Sequence, residues 1–281
     1  MIKKLLTLFY KIHSKIPTTP TITHLKDLPE KPLKIIITSF NNEAYCEKNV
    51  ESALNQNYKN YKIIYIDDNS TDGTLKRVKN HIKKHDKFNK VTLILNEKRN
   101  LKLKNLYTTI HTLADNEIVI ELDGDDYLAH SNVLKAINQI YQQTHALMVY
   151  SNYQNQPTEI AQKLNMQKFS QKTPLLIKKL KLYRKYPWIY SGLRTYYAEL
   201  FKKIPEKTFI CPLKPYEGNF YPVSHDLVMM YPMLELSDGK VEYVKDVLLI
   251  RNIDSSINDF KIYDESVRTK INNYIRSKNV F

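Results

Sequence analysis

The chain has 281 residues, 42% hydrophobic and 26% charged, the balance of a soluble globular protein long enough to bury a substantial core. Its 43 Lys and Arg against 29 Asp and Glu give a formal charge of +14, spread along the whole chain. No concentrated basic motif of a nucleic-acid binder stands out, so the charge reads as a solvated lysine-rich surface, a phosphate-rich ligand or an anionic membrane, and no nucleic-acid partner is expected.

In chain order, Ile2, Leu5, Leu6, Phe9, Ile12 and Ile16 recur at helical spacing among lysines. They predict an amphipathic helix over residues 1–17, docked on the domain or lying on a membrane surface as a peripheral contact. Lys11 interrupts the apolar block and no small-residue cleavage site follows, which argues against a signal peptide. No segment is long and apolar enough to span a bilayer. The Pro- and Thr-rich stretch from Thr18 to Pro32 reads as a linker and closes a first unit, 1–32.

LKIIITSF (Leu33 to Phe40) then predicts a strand, and Cys46, Val50, Ala53 and Leu54 predict a helix. YKIIYI (Tyr61 to Ile66) is a second strand, followed by a helix with Leu75, Val78 and Ile82. VTLIL (Val91 to Leu95) is a third, followed by a helix with Leu103, Leu106, Ile110 and Leu113. EIVIEL (Glu117 to Leu122) is the fourth strand. Strands alternating with amphipathic helices predict an α/β fold whose mostly parallel sheet is buried on both faces. Ligands of such sheets sit beyond the carboxyl ends of the strands. From Ala146 onward the sequence is less regular and more aromatic. Cys46 and Cys211 match no metal-ligand spacing and read as core fillers in a reducing compartment, giving a cytoplasmic location or one peripheral to a membrane.

The carboxyl ends are where the chain turns acidic. VIELDGDDYL gathers Glu121, Asp123, Asp125 and Asp126 straight after an apolar run. Four negative charges at the end of a buried strand are costly unless a cation neutralises them. Oxygen ligands suit Mg2+ or Mn2+, which bridge one or two carboxylates to nucleotide phosphates. IDDNSTDGT (Ile66 to Thr74) fits part of a calcium loop, but Lys79 holds the position of the bidentate Glu and a strand precedes the loop. It reads instead as a strand-to-helix turn that leaves Asp68 free to accept hydrogen bonds from a base or ribose, with Thr71 or Asp72 capping the next helix. No strand is followed by G-x-G-x-x-G. HIKKH has Ile82 where a zinc hydrolase needs Glu, so His81 and His85 read as a solvated helix face. Ser224, His225 and Asp226 are adjacent and cannot turn inward together as a nucleophilic triad.

The segment KIIITSFNNEAYCEKNVESALNQNYKNYKIIYIDDNSTDGT, followed by ELDGDDYL, resembles the start of the family 2 inverting glycosyltransferases with the GT-A fold. The resemblance implies a nucleotide-diphosphate sugar donor, with UDP the expected nucleotide. It places Phe40, Asn41 and Glu43 of TSFNNE at the donor, Asp68 on uracil or an equivalent base, and Asp123 and Gly124 near ribose and metal. Asp125 becomes the direct ligand of Mn2+ or Mg2+, with Asp123 beside it. Arg99 or Lys104 takes the role of the basic residue on the diphosphate, and Lys261 would approach the donor. Asp226 in SHDLVMMYPMLEL is implied as the catalytic base. His225, with Trp188 and Arg194 of PWIYSGLRTYYAELF, would meet a carbohydrate-bearing acceptor, whether glycan, lipid-linked or protein. Gly192 and Ile253 depart from the pattern, which often has His at those places. The implied organisation is a GT-A domain over 33–261, divided into a nucleotide-sugar half (33–128) and an acceptor half (129–261), then a C-terminal helix over 262–281. Three alternatives stay open. A nucleotidyltransferase would want a Gly-rich basic loop after the first strand, a non-catalytic member would bind donor or glycan without turnover, and Asp226 would serve only as a helix cap.

Overall fold

Short β-branched runs fix the strands, and their period-two alternation decides which core each residue joins. The computed structural model describes residues 24–164, 166, 170–257 and 259–281, so the helix expected over 1–17 lies outside the described residues. Strands β1 (Leu33–Ser39), β2 (Tyr61–Asp67), β3 (Val91–Leu95) and β4 (Ile118–Asp123) run parallel in the order β3-β2-β1-β4. Ile36, Ile66 and Val119 point into one core, while Ile35, Ile37, Ile63, Ile118 and Ile120 point into the other. The sheet is thus covered on both faces, as near-continuous apolar strands require.

Helices α1 (Cys46–Leu54) and α2 (Thr74–His85) cover one face through Val50, Ala53 and Val78. Helix α3 (Lys102–Ile110) covers the other through Leu103, Leu106 and Ile110. Each apolar set is the stripe predicted from its spacing. Cys46 and Cys211 are free and buried, and burial pushes the Cys46 thiol up to about 11.

The second half widens the same sheet. It contributes β5 (Tyr127–Leu128), α4 (Val133–Gln143), β6 (Met148–Gln156), α5 (Thr158–Lys163), α6 (Leu175–Lys179) and β7 (Arg194–Tyr197). After these come α7 (Ala198–Lys202), α8 (His225–Leu236), β8 (Val241–Asn252), α9 (Asp259–Ile262) and α10 (Glu265–Ser277). The strand order continues β4-β7-β6-β8-β5, with β7 antiparallel to both neighbours and β6 parallel to β8. Helix α8 is apolar through its middle and deeply buried, so it packs inside the domain. Helix α10 shares that core through Ile271 and Ile275. Among the described residues, no helix is long and apolar enough to cross a membrane.

Candidate active site

Strand β1 lies between β2 and β4 with Ser39 opposite Asp67 and Thr38 opposite Asp123, so the two acidic turns flank the end of β1. They open on one cavity of about 300 Å3 at the carboxyl edge of the sheet. Asp68, Asp123, Gly124 and Asp125 line it, together with Phe40 and Arg99. The Arg99 guanidinium lies 3.7 Å from the centroid of the Phe40 ring, a cation–π stack at the mouth.

Asp68 is not free, as its sequence context led one to expect. Its Oδ1 accepts from Asn96 Nδ2 (2.7 Å) and the Asn100 N–H (2.8 Å), and its Oδ2 accepts from the Leu101 N–H (2.9 Å). The physical reason is the loop 96–101, where the half-buried Asn100 and Leu101 N–H groups have no ladder partner and take the carboxylate as acceptor. Asn41 and Glu43 do not line the cavity. They staple the β1 turn to the β2 turn: the Thr71 N–H donates to Asn41 Oδ1 (2.8 Å) and the Gly73 N–H to Glu43 Oε2 (3.0 Å). Asp72 Oδ1 accepts the Thr74 N–H (3.0 Å) where α2 begins.

The cation at the acidic turn is one that sequence reasoning missed. Lys104 lines neither this cavity nor the next, whereas Lys102 Nζ bonds to Asp123 and lies 4.0 Å from Glu121. The signal was the start of α3, because the first residue of a helix after a parallel strand sits at the carboxyl edge. Burial alone would raise the Asp123 carboxyl, but Lys102, with Arg194 behind it, brings it down to about 2. Burial and the Asp123 charge push Asp125 up to about 6. Burial, Asp125 and Asp123 lift Asp126 well above the usual carboxylate range, and its Oδ1 accepts the Asn252 N–H (2.8 Å). A carboxylate whose charge is opposed by its neighbour's is one that a cation would relieve. The hard oxygen donors of Asp123 and Asp125 fit Mg2+ or Mn2+.

Gly124 is required by close approach. A Cβ there would lie 2.6 Å from Ser39 Oγ and from Asn42 Nδ2. Gly124→Ala is expected to cost about 1–3 kcal/mol, read by urea unfolding, because the tips of β1 and β4 must part to admit the methyl.

A second cavity, of about 340 Å3, adjoins the first and shares Asp123, His225 and Arg251 with it. Asp226 and Arg194 line it with Ser191, Arg268 and Asn272. Burial works against the Arg194 charge, but Glu121, Asp226 and Asp123 outweigh it and raise its value. Its Nη2 lies 3.5 Å from Glu121 Oε2. Burial and Lys102 hold His225 well below the usual imidazole range, so the ring is neutral. Trp188 lines neither cavity. Its Nε1 donates to Ser191 Oγ (3.0 Å) and its ring packs edge-on against Tyr190 and Tyr231, so it holds the wall. Lys261 Nζ donates to the Asp254 carbonyl (2.9 Å), and Ile253 lines the first cavity. The histidine of the resembling pattern has no room at Gly192, where a Cβ would lie 1.9 Å from the Ser151 carbonyl oxygen. Arg251, Arg268 and Asn272 were missed because they arrive from the last strand and the last helix, far along the chain from both acidic motifs.

A sheet with paired acidic turns at its carboxyl edge, opening on adjoining cavities, has the GT-A arrangement of nucleotide-diphospho-sugar transferases. The mannosyltransferase of Pyrobaculum calidifontis, solved with GDP-Man and Mn2+, superposes with a TM-score of 0.55 at 17% identity, covering 89% of this chain and 65% of that one. TarS 1–349 of S. aureus in complex with UDP-GlcNAc superposes at 0.52 and 15%, covering 80% of this chain and 59% of that one. Residues 34–205, more than half of the chain, match the profile of glycosyl transferase family 2, and the chain belongs to that family. An uncharacterized glycosyltransferase of Haemophilus influenzae is 31% identical over 128 residues, 43% of this chain and 46% of that protein. The chain spans less than half the length of the curated relatives it matches.

Proposed function

We propose that the protein is an inverting glycosyltransferase that moves a sugar from a nucleotide-diphosphate donor, a UDP-sugar, to a hydroxyl of a carbohydrate-bearing acceptor. The observation that carries this reading is the pair of adjoining cavities with Asp123, His225 and Arg251 as their common wall. The first takes the donor. Phe40 and the Arg99 stacked on it flank the base, Asp68 borders it, and Lys102, beside Asp123, faces the diphosphate. The second takes the acceptor, beside Asp226. The Asp226 carboxylate accepts the proton of the acceptor hydroxyl as its oxygen attacks the anomeric carbon, and the bond from that carbon to the diphosphate breaks on the opposite face. Asp125, with Asp123, would hold Mn2+ or Mg2+, which supplies charge stabilisation to the departing diphosphate. The donor complexes of the two superposed proteins support a nucleotide sugar, and the Mn2+ of the mannosyltransferase supports a divalent ion. A nucleotidyltransferase is the weaker alternative, because the turn Phe40–Glu43 has no Lys or Arg and is committed to holding the β2 turn.

Calorimetric titration with UDP- and GDP-sugars, with and without Mn2+, tests the reading. Metal-dependent binding of a UDP-sugar is expected, and Asp125→Asn should abolish the metal-dependent part; donor affinity indifferent to metal and to Asp125→Asn would refute the ligand assignment. The same substitution should stabilise the metal-free protein. Asp125 is raised in the fold to about 6 from 3.8. The stability it contributes is therefore complete below 3.8 and lost as pH rises through 6, leaving a penalty at pH 7. Removing that charge is expected to raise Tm by roughly 2–8 °C at pH 7 and to change little at pH 4.

A further inference from the structure

The packing of α1 against α2 brings together three side chains that the active site does not use. From sequence alone His81 and His85 read as a solvated helix face, but the fold turns His81 inward, leaving its side chain 13% exposed. Its Nε2 lies 2.7 Å from Oε2 of Glu51, which comes from the last turn of α1. The His81 and His85 rings stack with centroids 4.4 Å apart. One ligand atom from each of Glu51, His81 and His85 lies within 4.8 Å of the other two. Asn55 Nδ2 donates to the second oxygen of Glu51 and so orients the carboxylate, as outer partners of metal ligands do.

We propose that Glu51, His81 and His85 form a transition-metal site, with Zn2+ the preferred ion, separate from the acidic cavity. Two imidazole nitrogens and one carboxylate oxygen are the donor set of a three-ligand zinc centre that keeps a water in its fourth position. Bonds of ~2.0–2.1 Å in a tetrahedron put ligand atoms about 3.3 Å apart. Rotation of the exposed His85 side chain and slight opening of the His81–Glu51 contact reach that spacing. Imidazole ligands select zinc against Mg2+, which keeps to oxygen donors. Lys83 and Lys84 on the same helix oppose a cation, so affinity on the order of micromolar is expected instead of nanomolar. The ion ties the end of α1 to the end of α2.

The test uses full-length Asp125→Asn protein, so that the acidic cavity contributes least. Thermal unfolding with ZnCl2 at a hundred times Kd is expected to show a rise of about 5 °C or more. Co2+ in place of zinc should give the visible absorption of a tetrahedral centre. Adding His85→Ala or Glu51→Gln should weaken zinc by about tenfold or more. In an otherwise unaltered chain the same two substitutions should leave Mn2+-dependent donor binding unchanged. The absence of any zinc response, an equal response to MgCl2, or a response that survives His81→Ala and His85→Ala together would overturn the site.

Discussion

Asp226→Asn is expected to bind nucleotide sugar within about twofold of the unaltered protein while transfer falls by roughly 10²–10⁴-fold, the usual contribution of a positioned base. The amide keeps the shape of the side chain and can still accept the Leu227 N–H, which Asp226 Oδ1 accepts at 2.9 Å. What it cannot do is take a proton from the acceptor. Asp226 lines the second cavity and not the first, so donor affinity has little reason to change. Reading Asp226 as a helix cap gives the opposite result. Helix α8 starts at His225 with Ser224 in the cap position, and its stability comes from burial along nearly its whole length. If Asp226 served that helix alone, the Asn variant would turn over at close to the original rate. Calorimetry for the donor and single-turnover assays for transfer separate the two accounts. His225 lines both cavities, and burial holds it well below the usual imidazole range.

The first half of the molecule was legible because its rules are local. Leu33 to Phe40 became β1 within one residue, and the apolar stripes of α1, α2 and α3 landed in the cores their spacing required. Asp123, Gly124, Asp125 and Asp68 came to one cavity because β1 separates two parallel strands whose ends carry them. Roles that depend on a one- or two-residue offset were not legible. Lys102 and Lys104 have the same chemistry and differ only in where α3 begins. Asp68 was read as open to ligand; it lines the cavity, yet it also accepts three hydrogen bonds from a loop that follows thirty residues later. The second half resisted for a physical reason as well. Helix α8 is apolar through its middle and shows no period, β7 is four residues long, and the pairing of β6 with β8 shifts register twice. Arg251, Arg268 and Asn272 reach the second cavity only through that tertiary packing.

Glu235→Ala is expected to cost about 3–5 kcal/mol, because it strands a buried guanidinium. Arg184 is 6% exposed and Glu235 fully buried. The two meet as a fork, Nε to Oε1 at 2.7 Å and Nη2 to Oε2 at 2.9 Å. The third arm, Arg184 Nη1, donates to the Ile275 carbonyl of α10 (2.7 Å), and Arg276 Nη1 donates back to the carbonyls of Arg184 (2.9 Å) and Tyr186 (3.0 Å). The ion pair therefore pins the last helix to α8. Urea unfolding should show the loss as a lower midpoint. Replacing both partners, as Arg184→Met with Glu235→Leu, should recover much of it, since neither charge is then left unpaired. The functional consequence follows from what α10 carries. Arg268 and Asn272 stand one turn apart on it and line the second cavity, the one proposed for the acceptor. Loosening the pin, in a Glu235→Gln variant mild enough to stay folded, should raise KM for the acceptor more than Kd for the donor. Equal changes in both constants would mean that α10 supports the fold as a whole and does not shape the second cavity.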